Sequence, residues 1–338
     1  MRVAVIGLGS MGKRRIRLLK QYIEKEGKRN GRKNEKWEIT GIDLSRERCL
    51  EVEELCNIET FSDLDKGLSK GNIDCALICS SPASHAELIH ECLKRGLHVF
   101  TEMNLVNDRY HENQRLAGEK KRVLFLSSTF LYRKEIEFIK EKLQEKSFGG
   151  GYFYHIGQYL PDWHPWEKYQ NFFIGAKRTN ACREIFAIEM PWLIDTFGGI
   201  KQIQGIHKKI SSLEIDYDDM YHLTLEHESG VVGSLIVDVV SPKAERIMNI
   251  WEEHFHLEWR GTPDSLRLYE ENTGNMISVA LYENVERAEG YSAFVVENAY
   301  YEELAAFFAA IRGEKAARYS FGQDEKVLAW IDRIEELK

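Results

Sequence analysis

The stretch Arg2-Val3-Ala4-Val5-Ile6-Gly7-Leu8-Gly9-Ser10-Met11-Gly12 decides the fold. A β-branched run leads straight into a GxGxxG pattern. A helix then opens at Ser10 and runs to about Lys25, with Met11, Ile16, Leu19 and Ile23 at helix-compatible spacings. Strand, glycine turn and helix in that order form the context in which this motif reads as a dinucleotide fingerprint. Gly7 permits the tight turn, Gly9 lets the backbone approach a pyrophosphate, and Gly12 allows close helix–sheet packing. The helix start at Ser10 and Met11 points backbone N–H groups and the positive end of the dipole at phosphates.

Working outward, Trp37 to Ile42 reads as the second strand, and Asp43 ends it. A carboxylate there accepts hydrogen bonds from the adenosine ribose and repels a 2′-phosphate, so NAD is the expected cofactor. Ser45 and Arg46 leave NADP open as the alternative. The helix Ser45 to Cys56, the strand Ile73 to Cys79, the helix Ser84 to Arg95, and strands Leu97 to Thr101 and Val123 to Ser127 continue the alternation. Ser84 with Glu87 reads as a capping box, and Gly96 sits where a helix-ending glycine belongs. Such alternation predicts an α/β fold, a doubly wound parallel sheet, over residues 1–128. Ser81 and His85 follow the fourth strand, and Glu102 follows the fifth. All three are expected on the cofactor side.

The pattern changes near Thr129. A helix from Arg133 to Lys146 precedes strands Tyr152 to Tyr159, Tyr221 to His227, Val231 to Val240, Ile247 to Glu252 and His256 to Trp259. Helices are expected at Arg183 to Asp195, Glu297 to Arg312 and Gln323 to Leu337. Residues 129–338 therefore read as an α+β domain with a large open, mainly antiparallel sheet. Its C-terminal helices are open to packing back on the first domain.

Composition bounds the function. The chain has 338 residues, 46 Lys and Arg against 54 Asp and Glu, and a net charge of −8. An acidic balance argues against nucleic acid as a partner. Residues 1–36 carry twelve basic and three acidic residues, and Lys13, Arg14, Arg15 and Arg17 in the first helix are candidates to assist the pyrophosphate. No 18-residue apolar run and no signal-peptide pattern is present, so a cytoplasmic protein off the membrane is expected. Six scattered cysteines without a CxxC pair read as reduced thiols. His254 and His256 have no third ligand nearby, and no metal is expected.

At this point the chain resembles the Gfo/Idh/MocA family of glucose–fructose oxidoreductase, inositol dehydrogenase and their relatives. Gly7 to Arg15, Ser80 to Leu88, Gly96 to Glu102, Glu228 to Ser234, and Tyr301-Glu-Glu-Leu with Ile311-Arg-Gly carry the resemblance. It implies a Rossmann domain, a C-terminal sheet domain, a homodimer or homotetramer, and NAD(P)-dependent hydride transfer on sugars or cyclitols. Where the family has Glu-Lys-Pro, this chain has Glu102-Met103-Asn104, and Met103 carries neither charge nor proton. The family's Asp-x-x-x-His helix motif aligns with Glu184 to Ile188, so Glu184 replaces the Asp, Ile188 stands for the His, and Glu189 is the nearest ionisable neighbour.

The segment Tyr159-Leu-Pro-Asp-Trp163-His164-Pro-Trp166-Glu-Lys-Tyr169 offers aromatic faces beside hydrogen-bonding groups, which suits a sugar. It is similar to stretches in family members associated with bacterial surface-sugar biosynthesis, implying a nucleotide-sugar-like substrate. Trp163, His164, Trp166, Tyr169, Glu184 and Glu189 are the candidate substrate residues. His164, Glu184 and Glu102 are the candidate catalytic groups. The leading function is a dehydrogenase acting on a carbohydrate. Loss of the lysine leaves two alternatives: an NAD-using non-redox glycosidase or lyase, and a catalytically silent NAD-binding sensor.

Overall fold

The opening run forms β1 (Arg2–Ile6), whose Val3, Ala4 and Val5 are fully buried at the centre of a parallel sheet. The computed structural model describes residues 1–29, 37–163, 167–287 and 292–337. They divide into two compact units. The first is Met1–Ser128 with Tyr300–Glu325, and the second is Thr129–Ala299 with Lys326–Lys338.

In the first unit β1 is followed by α1 (Ser10–Arg29), β2 (Glu38–Ile42), α2 (Arg46–Cys56), β3 (Glu59–Phe61), α3 (Leu64–Ser69) and β4 (Cys75–Ile78). Next come α4 (Pro82–Lys94), β5 (His98–Thr101), α5 (Tyr110–Lys120) and β6 (Leu124–Leu126). The sheet order is β3-β2-β1-β4-β5-β6, parallel throughout. The order reverses between β1 and β4, and crevices for ligands open at the C-terminal strand ends beside such a reversal.

Three local expectations shift. α1 extends to Arg29, because Glu26 and its neighbours are adequate helix formers, and residues 30–36 lie outside the described residues. α4 starts two residues before Ser84, with Ser81 as N-cap and Pro82 in the first turn, where its missing N–H costs nothing. The expected capping box is therefore absent, and the Ser84 hydroxyl donates to the Ser81 carbonyl at 2.8 Å. Gly96 does follow the helix end, at φ 76°.

The second unit contains α6 (Lys134–Lys146), β7 (Gly151–Tyr159), α7 (Ala181–Phe197), β8 (Ile200–Lys208), β9 (Met220–His227) and β10 (Val232–Asp238). They are followed by β11 (Val240–Glu252), β12 (Phe255–Trp259), β13 (Arg267–Glu270) and β14 (Asn275–Ser278). α8 (Glu297–Ile311) and α9 (Phe321–Glu335) close the chain. The sheet order is β14-β13-β12-β11-β7-β10-β9-β8, antiparallel except for the β7–β10 pair. The expected single strand Val231 to Val240 divides at Val239. The Asp238 carboxylate accepts from the Val240 and Ser241 N–H groups at 3.0 and 2.7 Å and turns the chain there.

Alternation decides the core of this sheet. Tyr152, Tyr154, Leu223, Leu225, Leu235, Val237, Met248 and Ile250 are buried on one face. α7 supplies Phe197, stacked on Tyr152 at 4.3 Å between centroids, and Trp192, edge-on to Tyr154 at 5.5 Å. Among the described residues no helix is long and apolar enough to cross a membrane.

The glycine turn has no slack. A Cβ on Gly12 would lie 1.9 Å from the Gly7 carbonyl oxygen. Gly12→Val is therefore expected to lower stability by about 1–3 kcal/mol, as overpacking does, with a matching fall in Tm by calorimetry.

Candidate functional site

The cofactor cradle follows from the same turn. Gly7 has φ 92°, and a Cβ there would lie 2.6 Å from the Ser80 nitrogen, so the ends of β1 and β4 approach closely. A Cβ on Gly9 would meet nothing within 4 Å, so the backbone faces open space where a pyrophosphate must come near. The first turn of α1, with Ser10 and Met11, contains no acidic residue to oppose an anion.

Asp43 is tied to this loop. Its carboxylate accepts from the Leu8 N–H at 2.7 Å and from the Ser45 N–H at 2.8 Å. Each oxygen keeps a lone pair for a ribose hydroxyl. Ser45 is the N-cap of α2, accepting from the Arg48 N–H at 3.3 Å. The exposed Arg46 is 4.0 Å from Glu53, and Leu44 is 90% exposed beside the carboxylate. These residues fit an NAD: a glycine cradle, a helix start and a ribose-binding carboxylate on one edge of one sheet.

Three of the basic residues of α1 have partners within the protein. Lys13 pairs with Glu51, and Arg14 lies over the Tyr300 ring at 4.6 Å. Arg15 is fully buried, one turn into the helix, and reaches Glu102 at 2.6 and 3.2 Å and Glu303 at 2.7 Å. Burial by itself lowers its pKa, but the two carboxylates more than offset that and hold it charged. Glu303 also accepts from the Ser128 N–H at 2.7 Å and the Ser127 hydroxyl at 3.0 Å. Burial pushes its pKa above the ordinary carboxylate value, against the pull of Arg15. Glu102, expected as a catalytic group, thus has both oxygens on a guanidinium.

His85, expected to meet the cofactor, is 1% exposed. Its Nε2 is 3.0 Å from the Ser80 carbonyl and its Nδ1 is 2.7 Å from the Asn104 amide. Burial lowers its pKa, so the ring is neutral and has one N–H to give. That proton goes to Ser80. The Asn104 amide nitrogen is buried and otherwise without a partner, so turning the amide to donate to Nδ1 satisfies both groups. His85 is therefore engaged inside the unit. Ser81, by contrast, is exposed and its side chain makes no cap bond.

In the second unit the decisive element is α7. Asn180 caps it, accepting from the Arg183 N–H at 2.8 Å, and Arg183 forks to Asp332 and Glu335, each at 2.7 Å. From Ala181 to Leu193 every residue is buried except Glu184 and Ile188, one turn apart. The Glu184 Oε2 is shielded from solvent and has no hydrogen-bond partner among the described residues. Burial pushes the Glu184 carboxyl up to about 8.

Glu189 requires a correction. It is 0% exposed and its oxygens accept from Tyr154 at 2.7 Å, Trp192 at 2.7 Å and Arg246 at 2.7 and 3.0 Å. Every lone pair it can offer is spent in the core, so it does not take the place of the family histidine. Trp163 closes a short turn by donating to the Leu160 carbonyl, and its indole N–H is buried without a partner among the described residues. Tyr169 accepts from the Glu214 N–H at 3.1 Å. His164 and Trp166 lie outside the described residues. Among the described residues no group of three or more His, Cys, Asp or Glu side chains is placed to hold a metal.

Sequence reasoning missed the Arg15–Glu303 pair. The available signal was an acidic residue inside an otherwise apolar helix stripe, beside Leu304, Phe307 and Phe308. Two substitutions check these assignments. Asp43→Ala should weaken NADH binding about tenfold, the worth of one or two charge-assisted hydrogen bonds, read by fluorescence titration. Glu189→Ala should cost about 3–5 kcal/mol of stability by stranding the Arg246 charge, read by denaturant unfolding.

Comparison with known proteins agrees with this geometry. Residues 1–127 match the model of the Gfo/Idh/MocA group, described as an oxidoreductase family with an NAD-binding Rossmann fold. Myo-inositol 2-dehydrogenase of Thermotoga maritima is 27% identical over 152 residues, 44% of this chain and 42% of that protein. The chain thus matches less than half the length of that curated relative. An oxidoreductase from Agrobacterium radiobacter, solved with NAD+, L-tartaric acid and magnesium, superposes with a TM-score of 0.79 at 13% identity, covering 98% of this chain and 94% of that one. The WlbA dehydrogenase of Bordetella pertussis, solved with NADH and UDP-GlcNAcA, gives 0.73 at 15% identity, covering 99% and 95%. At such identities the structural likeness is one of fold. Residues 1–127, with their glycine cradle and strand-end carboxylate, are thus similar to the NAD-binding Rossmann domain of the Gfo/Idh/MocA oxidoreductase family.

Proposed function

We propose that this protein is an NAD(H)-dependent oxidoreductase acting on an alcohol carbon of a sugar or nucleotide-sugar-like substrate, with Glu184 holding the reaction proton. One observation carries the assignment of the proton. Glu184 is half-buried on α7, and its Oε2 is sealed from water yet has no partner among the described residues. A carboxyl held near neutral pKa is suited to both taking and giving a proton. The bound nicotinamide supplies hydride-transfer chemistry. In the oxidation direction, the Glu184 carboxylate takes the hydroxyl proton as the carbonyl forms. In the reduction direction, the protonated form returns it. Asp43 and the turn from Gly7 to Gly12 hold the cofactor. The indole N–H of Trp163, without a partner among the described residues, is a donor for a sugar hydroxyl. The UDP-sugar bound by the WlbA dehydrogenase supports the nucleotide-sugar reading by analogy of fold.

Met103 favours a second reading. Without a lysine at that position, an enzyme using NAD transiently, with no net redox change, is the runner-up. The absorbance at 340 nm separates the two. Net NADH formation with a sugar panel supports the first reading, and turnover without net NADH supports the second.

The open face of the second unit's sheet carries Ile206, Val232 and Trp251, which are 65, 48 and 45% exposed. Apolar exposure of this kind supports a homo-oligomer, a dimer or tetramer. Six free cysteines suit the cytoplasm.

Glu184 yields a pH signature. Its carboxyl, pushed up to about 8, is protonated below that pH and ionised above it. Oxidation should therefore speed up with rising pH and level off above about 8, while reduction should fall there. Glu184→Gln should lower kcat by about 10²- to 10⁴-fold and flatten both profiles. Stability follows the same sign. The folded form keeps a proton that the unfolded form loses above its ordinary carboxylate pKa, so stability falls as pH rises from that value to about 8. Thermal melts of Glu184→Gln should lack that slope. A retained pH profile in the variant would remove Glu184 from the mechanism.

A further inference from the structure

Two buried polar clamps hold the chain on either side of Met103. Ahead of it, the Glu102 carboxylate lies in the fork of Arg15 at 2.6 and 3.2 Å, and Arg15 is seated in turn on Glu303 at 2.7 Å. The guanidinium is fixed further by the rings of Phe100 and Tyr300, whose centroids lie 4.5 and 5.3 Å away. Behind Met103, Asn104 is held by His85, whose other ring nitrogen is on the Ser80 carbonyl. Met103 itself is partly exposed, just past the end of β5.

The sheet order decides what Met103 faces. Asp43, after β2, marks the adenosine end. β4 and β5 lie across the reversal point on the other side of β1, so their ends receive the nicotinamide half of an extended dinucleotide. A thioether makes no strong directional bond and has several soft torsions. Its placement must come from the backbone that carries it. A buried guanidinium shared by two carboxylates is a weak source of net stability, because desolvation consumes most of the attraction. What such a triad supplies is fixed geometry, through the planar fork of arginine.

We propose that Arg15, Glu303 and His85 are positioning residues that fix the Glu102–Asn104 turn, so that Met103 forms an apolar seat for the nicotinamide ring. The proposal rests on the NAD reading given above. It predicts that the clamps act on one half of the cofactor only. ADP-ribose carries the adenosine, pyrophosphate and second ribose without the nicotinamide, and so reports the other half.

Calorimetric titration of NADH and of ADP-ribose against wild type, Arg15→Lys, Glu303→Gln and Met103→Ala tests this. Arg15→Lys keeps the charge and loses the fork, so the NADH Kd should rise about tenfold while the ADP-ribose Kd stays within about twofold. Glu303→Gln keeps the shape and loses one charge, and should raise the NADH Kd about threefold with the same selectivity. Met103→Ala leaves both clamps intact and should also weaken NADH alone. Should Arg15→Lys not fold, the other two variants decide. Equal weakening of both ligands in the folded variants, or unchanged NADH affinity in all of them, overturns the proposal. If wild type binds neither ligand, the cofactor reading fails and the proposal falls with it. If wild type binds both and the variants do not separate them, only the proposal fails.

Discussion

The buried charge of Arg15 is the constraint around which the first unit is organised. One guanidinium, 0% exposed, joins α1 to the end of β5 through Glu102 and to α8 through Glu303, a residue 288 positions away in sequence. Glu303 in turn accepts from Ser127 and Ser128, just past β6. Removing Arg15 would leave two carboxylates without their shared counter-charge in a low-dielectric interior, so the four pieces are obliged to meet together. This accounts for the place of residues 300–325 in the first unit although they follow the second in sequence. It also separates the two ends of α1. The helix start faces the phosphate cradle with its backbone, while the side chain one turn later is turned inward.

The second unit sets out the same physics in two neighbouring glutamates. Glu184 and Glu189 share α7, and the 100° rotation per residue points them in different directions. Glu189 meets Tyr154, Trp192 and Arg246 and becomes a hydrogen-bonded core anchor. Glu184 meets no hydrogen-bonding group at its Oε2 among the described residues, and desolvation without compensation raises its pKa. Burial with a counter-charge makes structure. Burial without one moves a carboxyl's pKa up toward neutrality.

The cofactor cradle was legible in the sequence because its chemistry is carried by the backbone. Gly7, Gly9 and Gly12 matter for what they lack, and a missing Cβ has the same meaning wherever strand, turn and helix follow in order. Asp43 was legible for a related reason: it ends a strand whose register the sheet dictates. His85 and Glu102 were read to the right end of the sheet, but their partners were not legible. Their position depends on local spacing, but their availability depends on Asn104 and Arg15. Nothing in the spacing of residues 80–104 announces that Arg15 will point inward, since basic residues in a first helical turn are as compatible with phosphates as with buried acids.

The sequence by itself determined the alternation of strands and helices in the first unit, the glycine turn, the strand-end carboxylate and the sheet-rich character of the second unit. These follow from hydrophobic period and turn chemistry, which act over a few residues. Only the tertiary structure decided which of the ionisable residues are spent and which remain available. It matched Arg15 with Glu102 and Glu303, closed Glu189 into the core and left Glu184 half-buried on its helix. The reason is that an ionisable side chain takes its chemistry from its solvation and its nearest charges. In a folded chain those neighbours come from segments hundreds of residues apart.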